Sequence, residues 1–318
     1  MAAKSPAVPT DPIFQEVLVT AQQFLQGTAE RQGLIVNIEK LTHRRLLVYH
    51  ASTQHQAGIM TGADINLFMD MCDDLGPRSV PVDLLIHTPG GDANTAEMIL
   101  NTLHQRASSV RVIVPREAKS AGTLVAMGAE EIVMGPASEL GPVDPQFPVI
   151  VGGIPRYLPA QAIVDSYDEL VTLLHEAQAA NQPGMAYVTV LQQQNAAFVN
   201  EARRQIEHSK AMGQRWLIKA MYPGDANKAE EIMNRLSDAN IHKSHGRMID
   251  AKMARDEIGL RVKILPARNG LWRALWRLHL LNEFWIGQLQ PGPAGTSIAR
   301  VKLFETRRVS LVQQAGVG

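Results

Sequence analysis

The fold of this chain is indicated by residues 82–92, which read Val-Asp-Leu-Leu-Ile-His-Thr-Pro-Gly-Gly-Asp. The stretch opens with an apolar run that lacks the polar alternation of a half-exposed strand, and it ends in a double-glycine turn. A second stretch of this kind has an apolar strand at 110–115, followed at 118–123 by Ala-Lys-Ser-Ala-Gly-Thr. Short apolar strands of this type are typical of a parallel sheet that is covered on both faces.

On either side of these stretches, the sequence predicts strands that alternate with helices. The predicted strands lie at 45–50, 82–88, 110–115 and 131–134, and the predicted helices at 13–31, 62–75, 93–107 and from about Ser120 onward. Helix 93–107 places Ala96, Ile99, Leu100, Leu103 and Ala107 along one stripe, so this face is expected to pack on the sheet. The alternation predicts an α/β fold with a parallel sheet and right-handed crossovers.

The pattern changes after Pro159, where residues 160–181, 186–211 and 225–236 predict helices. A last predicted strand at 260–265 is expected to return to the sheet. We therefore divide the chain into an N-terminal segment and helix (1–30), a main domain (31–265) and an amphipathic C-terminal extension (266–318).

Composition narrows the class of protein. The 318 residues include 31 Lys and Arg against 31 Asp and Glu, so the net charge is zero and a nucleic-acid partner is not expected. The single cysteine, Cys72, excludes an intramolecular disulfide and a cysteine-based zinc site, and its apolar helical surroundings predict a buried thiol. No His-x-x-x-His pair or Glu/His cluster was recognised, so neither a metal nor a cofactor is predicted.

The N-terminus lacks the apolar core of a signal peptide. No stretch approaches the roughly 18 uninterrupted apolar residues of a membrane span. These observations predict a cytoplasmic protein.

The two turns suggest chemistry, because ligands gather at the C-terminal ends of parallel strands. Gly90 and Gly91 lack a Cβ, so their amides can approach a substrate oxygen and serve as oxyanion donors. Ser120 lies between small residues where a strand gives way to a helix, as an accessible nucleophile would, and the Ala121 amide would be a further donor. A simple tight turn and a helix N-cap are the alternative explanations, and both stay open.

Three motifs in order resemble the serine dehydrogenase proteinase family, a distant relative of signal peptide peptidase A and of the Clp proteases. They are Thr-Pro-Gly-Gly at 88–91, Lys-Ser-Ala-Gly-Thr at 119–123 and Leu-Gly-Pro-Val-Asp-Pro-Gln at 140–146. The resemblance spans roughly residues 30–265. It implies a Clp/crotonase-like fold of repeated ββα units, a homo-oligomer, a nucleophile at Ser120 and oxyanion donors at the Gly91 and Ala121 amides.

A serine nucleophile also needs a base that accepts its proton. The likeness to signal peptide peptidases would imply a Ser–Lys dyad with a lysine some forty to fifty residues after Ser120, but no lysine occurs between Lys119 and Lys210, and Lys119 is expected to point away. The resemblance implies a triad that maps to Asp144 and His245. The alternatives are that Asp144 caps a turn and that His245 precedes a helix at 246–257.

Three other histidines are expected to be structural or to lie at the surface. His87 ends a strand near the site and is expected to point inward. His104 and His175 lie in predicted helices and are expected at the surface.

Residues 271–286 hold three of the four tryptophans, with arginines between them. The pattern predicts an amphipathic helix for an oligomer interface, a partner groove or a membrane surface, so the protein could also be peripheral to a membrane. Deleting 266–318 is then expected to change assembly or membrane association.

Taken together, these features predict a serine endopeptidase that acts on peptide or protein substrates through Ser120. Two other functions fit the same fold, an acyl-CoA-binding enzyme and a catalytically silent oligomeric scaffold.

Overall fold

A computed structural model describes Ile13 and residues 27–151, 153–238 and 247–317. Most of the predicted helix at 13–31 lies outside these residues, as does His245. The first described helix, α1, covers Thr28–Thr42.

The central sheet contains eight strands within the described residues. Five of them run parallel in the order β10 (Val262–Ile264), β5 (Glu131–Met134), β3 (Ala107–Val114), β2 (Val80–His87) and β1 (Arg45–Ala51). Antiparallel strands continue from β1, with β12 (Ser297–Glu305) beside it and both β11 (Leu289–Pro291) and β13 (Ser310–Val317) paired with β12. The predicted parallel sheet is confirmed, and so is the return of the 260–265 strand to its edge.

Helices cover the first face of the sheet. They are α2 (Asp64–Asp73), α3 (Ala93–Arg106), α4 (Ala121–Met127), α7 (Ala196–Trp216) and α8 (Ala226–Ser237). The predicted stripe of α3 is confirmed at Ala96, Ile99, Leu100 and Leu103, which are all buried. Ala107, the fifth residue of that stripe, instead begins β3. Burial of these apolar side chains supplies the main driving force for the packing.

The second face is covered by α1 and by α9 (Gly270–Ile286). Leu275 and Leu278 of α9 are fully buried against strand residues such as Val48 and Leu85. The amphipathic pattern of 271–286 is therefore explained by packing on the sheet. Residues 266–318, treated above as an extension, contribute this helix and also β12 to the same core.

A hairpin and a helical layer follow the parallel strands. The hairpin joins β7 (Gln146–Val151) to β8 (Ile154–Pro159) and leads into α5 (Ala160–Ala179). The predicted helix at 186–211 is divided into α6 (Met185–Gln192) and α7, because the Asn195 side chain accepts hydrogen bonds from the Ala197 and Phe198 amides and so starts a new helix.

A three-stranded sheet lies beside the main one, built from β4 (Glu117–Ala118), β6 (Glu139–Leu140) and β9 (Ile249–Asp250). The helix expected at 246–257 is wrong in its first half, because residues 249–250 pair with β6. A π-helical turn follows at Met253–Ile258. Among the described helices, none combines the length and apolarity needed to cross a bilayer.

Candidate active site

The double-glycine turn follows directly after β2. Gly90 and Gly91 have φ angles of 98° and 147°, which L side chains rarely adopt. A Cβ at Gly91 would lie 2.3 Å from the Met60 carbonyl oxygen. The Met60 amide donates to the Gly90 oxygen (2.8 Å), and the Asp92 amide donates to the Met60 oxygen (3.0 Å). The turn is therefore held against a neighbouring strand segment so closely that only glycine fits at Gly91.

The second turn places Ser120 between β4 and α4. Its φ of 49° and ψ of −111° lie outside the regions that non-glycine residues favour. Backbone strain of this kind typically costs about 1–3 kcal/mol and is concentrated at functional sites. The Ser120 side chain makes no capping hydrogen bond to α4, so the N-cap alternative has no support in the structure.

The two turns form one unit. The Thr88 amide donates to the Glu117 oxygen (3.0 Å), and the Lys119 amide donates to the Thr88 oxygen (3.1 Å). A Cβ at Gly90 would lie 2.9 Å from the Cβ of Ser120. The sequence predicted that these turns would meet at the C-terminal edge of the sheet, and the structure brings them into contact.

The three predicted oxyanion donors differ in availability. The Gly90 amide donates to the Thr88 Oγ1 at 3.1 Å, so it is already engaged. Hydrogen bonds between described residues do not use the Gly91 or Ala121 amides. Because Gly91 and Ala121 line the same cleft as Ser120, their amides are the pair that could bind a developing oxyanion.

This cleft has a volume of about 580 Å³. Asp144 and His208 line it together with Ser120. This volume is within the range of roughly 300–1,000 Å³ that is typical of ligand pockets.

Asp144 is buried at the cleft wall. Its Oδ2 accepts a hydrogen bond from Gln146 Nε2 at 2.7 Å. The segment is fixed by the Val143 amide, which donates to the Leu236 oxygen (3.0 Å), and by the Ala160 amide, which donates to the Pro145 oxygen (2.8 Å). The structure thus brings Asp144 to the nucleophile's cleft, whereas His245 lies outside the described residues.

His208 is a cleft residue that the sequence analysis missed. It is exposed on α7, a helix that follows the nucleophile by some ninety positions and carries no recognisable motif around this histidine. The only signal was helical spacing, because Gln205, His208 and Ser209 share one face of α7 and all line the cleft.

The structure agrees with several of the secondary expectations and corrects one. Lys119 points away from the nucleophile, with its Nζ 3.0 Å from Glu139 Oε2. Cys72 is a buried core thiol, and burial raises its pKa to about 12. His175 is exposed as expected, but His104 is half-buried, because its Nε2 approaches the Gly128 oxygen at 2.7 Å.

Comparison with known proteins decides the family. The ClpP-like SDH-type serine proteinase family matches residues 23–213, which is more than half of the chain. The chain belongs to this family. Its α/β architecture with a mostly parallel central sheet agrees with the ClpP-like fold that the resemblance implied.

Two relatives of this family member are uncharacterized proteins of Methanocaldococcus jannaschii. One is 42% identical over 93 residues, which is 29% of this chain and 29% of the relative. The other is 49% identical over 70 residues, which is 22% of this chain and 24% of the relative. The chain thus matches less than a third of the length of either relative.

Solved structures with some likeness include ClpP1 from Listeria monocytogenes, with a TM-score of 0.39 and 13% identity over 73% of this chain and 98% of that chain. A mutant of the 1510-N membrane-bound stomatin-specific protease gives a TM-score of 0.28 and 15% identity over 65% of this chain and 92% of that chain.

Proposed function

We propose that this member of the proteinase family hydrolyses peptide bonds, with Ser120 as the nucleophile. The observation that carries the proposal is the strained backbone of Ser120, set beside the unengaged Gly91 and Ala121 amides at one cleft. Such a backbone conformation aims a nucleophile out of a turn, and small neighbours leave it accessible.

The reaction would follow the acyl-transfer scheme. Ser120 Oγ attacks the scissile carbonyl carbon, and its proton passes to a base. The oxyanion accepts hydrogen bonds from the Gly91 and Ala121 N–H groups. In comparable sites, each such donor stabilises the transition state by about 2.7–4 kcal/mol. The amine leaves with the proton, and water then hydrolyses the acyl ester.

The direct test is labelling of the full chain with a fluorophosphonate probe, followed by peptide mapping. We expect the adduct on Ser120, because such probes react only with activated serines. A folded protein that takes no label would favour the catalytically silent scaffold. The acyl-CoA alternative gains no support from the family to which the chain belongs.

The base is proposed to be a histidine oriented by Asp144. His208 is supported by its place in the described cleft, where an imidazole could carry the proton from Ser120 Oγ to the leaving amine. His245, the residue that the family resemblance implies, stays a prediction. A buried carboxylate such as Asp144 suits the orienting role in either case.

Exchange of each histidine for glutamine separates these candidates. We expect His208→Gln to lower kcat about 10³-fold, since general-base catalysis typically contributes 10²–10⁴-fold. The exposed His175→Gln variant serves as the control and should keep full activity. A loss confined to His245→Gln would transfer the role to His245. If both variants kept full activity, His208 and His245 would be excluded as the base, and the test would move to Asp144→Asn.

We also infer that the chain forms a homo-oligomer through the β7–β8 hairpin. Ile150 and Ile154 expose 77% and 58% of their surfaces, and the neighbouring Tyr157 exposes 63%. Ile150 and Tyr157 lie on one face of the hairpin and Ile154 on the other, and exposed apolar side chains of this kind mark interaction sites more often than free surface. Because Tyr157 also lines the Ser120 cleft, assembly through the hairpin would complete one wall of the site.

Introducing a charge into this hairpin tests the assembly. Ile154→Asp is expected to shift the protein to a smaller species in light scattering coupled to gel filtration, because an unpaired carboxylate in an apolar interface is strongly unfavourable. Leu41→Asp is the matched control, since Leu41 is 53% exposed on α1, away from the hairpin. Equal masses for wild type and Ile154→Asp would contradict the inference.

A further inference from the structure

Four side chains from three elements meet on the second face of the sheet. His50 and His87 are register partners near the ends of the parallel strands β1 and β2. His279 and Glu283 lie one turn apart on α9, so they share the helix face that packs over those strands. Residues far apart in sequence thus converge at one point beneath the active-site turns.

The potential ligand atoms of these residues lie close together. One atom from each of the four falls within 4.8 Å of all the others. Glu283 Oε1 is 2.5 Å from His50 Nε2 and 3.2 Å from His87 Nε2, so one carboxylate oxygen faces two imidazoles. The three ring centroids are separated by 4.5, 5.2 and 4.9 Å.

Several nitrogens of the cluster lack hydrogen bonds. His50, His87 and His279 are buried, and within the described residues their Nδ1, Nε2 and Nδ1 atoms respectively have no hydrogen-bond partner. Buried polar side-chain atoms nearly always have a partner, so three unsatisfied nitrogens at one point call for an explanation. A cation beside Glu283 would engage His87 Nε2, the unsatisfied nitrogen that faces this carboxylate.

The protonation states suit cation binding. Burial lowers the pKa of His50 to about 4 and the pKa of His279 well below its usual value. Burial alone would raise the pKa of Glu283, but its close contacts with the His50 and His87 imidazoles lower it far below its usual range. His50 and His279 therefore favour the neutral imidazole, and Glu283 favours the carboxylate.

We propose that His50, His87, His279 and Glu283 bind one Zn²⁺ ion. Three imidazoles and one carboxylate form a donor set of intermediate softness, which zinc accepts in tetrahedral geometry. Zinc–ligand bonds of about 2.0–2.2 Å place tetrahedral ligand atoms roughly 3.3 Å apart. The ligand atoms of the cluster lie within 4.8 Å of one another, so small side-chain movements would bring them to this spacing. Since the protein fills all four positions, the ion has a structural role.

The proposed metal site lies next to the glycine turn of the active site. His87 is followed at once by residues 88–91, which form the glycine turn, so a metal bound to His87 and His279 would fasten α9 beneath that turn. His87 Nδ1 lies 3.4 Å from the Glu117 amide, which is long for a hydrogen bond. Little is therefore lost if the proton of His87 moves to Nδ1 when Nε2 binds the metal.

Metal content is the first measurement. The full chain, purified without a histidine tag, is stripped with EDTA, reloaded with Zn²⁺, gel-filtered and analysed by mass spectrometry of the elements. We expect about one zinc per chain, and at least a fivefold lower content in Glu283→Gln and in His279→Gln. His104→Gln, a helical histidine outside the cluster, is the control and should retain the wild-type content.

Two further readouts on the wild-type chain keep the test independent of variant folding and of peptidase activity. Zn²⁺ at about a hundred times its Kd should raise the Tm by about 5 °C, and EDTA should reverse the rise. Co²⁺ in place of zinc should give the intense visible bands of a tetrahedral site. Absence of retained zinc, equal zinc in the cluster variants, or preferential loading of another metal would each overturn the proposal. The zinc assay is repeated in Ser120→Ala, which lacks the proposed nucleophile. Zinc binding in this variant distinguishes a failure of the metal proposal from a failure of the proposed peptidase activity.

Discussion

Replacement of Ser120 by alanine is expected to reduce peptide hydrolysis by about 10⁴–10⁶-fold, the range seen when a serine nucleophile is removed from a catalytic triad. The reason is specific to this residue, because no other hydroxyl stands on the strained turn beside the Gly91 and Ala121 amides in the described cleft. Alanine has a similar backbone preference, so the turn and its neighbours should keep their geometry. The measurement is turnover of a fluorogenic peptide library together with fluorophosphonate labelling.

Ser209 offers a matched control within the same cleft. It is a buried serine on α7, so Ser209→Ala removes a hydroxyl from the cleft without touching the Ser120 turn. We expect this variant to retain activity within about threefold and to label fully. Undiminished hydrolysis or labelling in Ser120→Ala would remove Ser120 from the mechanism, and loss in Ser209→Ala would make Ser209 the alternative nucleophile.

The nucleophile half of the site could be predicted because its chemistry is local in sequence. Gly90, Gly91 and Ser120 each follow an apolar strand, and neighbouring parallel strands end at the same sheet edge. The distinction between the glycines was not predictable. It depends on Thr88 Oγ1, which engages the Gly90 amide, and on Met60, a residue distant in sequence that fills the space where a Gly91 side chain would stand.

The metal cluster shows the opposite situation. Its ligands come from positions 50, 87, 279 and 283, and only His279 and Glu283 are close enough in sequence to form a helical pair. The sequence alone did not indicate a metal here, because the pairing of β1 with β2 and the packing of α9 on them had to be known first. His87 was expected to point inward, and it does, but its partners could not be named from the sequence.

The C-terminal strands were missed for a related reason. β12 carries Arg300 and Lys302 in alternation with apolar residues, so it reads as a polar segment rather than a core strand. Yet Lys302 is only 1% exposed, because its ammonium group finds a carboxylate across the fold. The pattern of apolar and polar residues along the sequence does not indicate a buried ion pair of this kind.

Breaking this Lys302–Asp64 ion pair with Lys302→Met is the second change for which we expect a large effect, a loss of stability. Lys302 Nζ lies 2.6 Å from Asp64 Oδ1, and the other oxygen of Asp64 accepts hydrogen bonds from Tyr49 Oη (2.9 Å) and the Thr61 amide (3.0 Å). Removing the lysine leaves a buried carboxylate without its cation, which costs about 3–5 kcal/mol. We therefore expect the Tm to fall by about 6 °C at fixed protein concentration.

A double variant separates the loss of the cation from the loss of packing. Asp64→Asn combined with Lys302→Met removes both charges, so it should recover most of the lost stability, whereas two independent effects would simply add. Lys263→Met on the exposed surface of β10 is the control and should change the Tm little. A Lys302→Met variant as stable as this control would show that the pair contributes nothing.

The Asp64–Lys302 pair is also connected to the active site through residues 60–61. Asp64 holds the amide of Thr61, and the adjacent Met60 fixes the backbone of the glycine turn through its amide and its oxygen. Loosening this segment should therefore weaken the oxyanion donor at Gly91 before the protein unfolds. We expect Lys302→Met to lower kcat at temperatures well below its own Tm, and the double variant, which has no unpaired charge, to restore part of that loss. A kcat that stays at the wild-type value until the onset of unfolding would confine the ion pair to a role in stability.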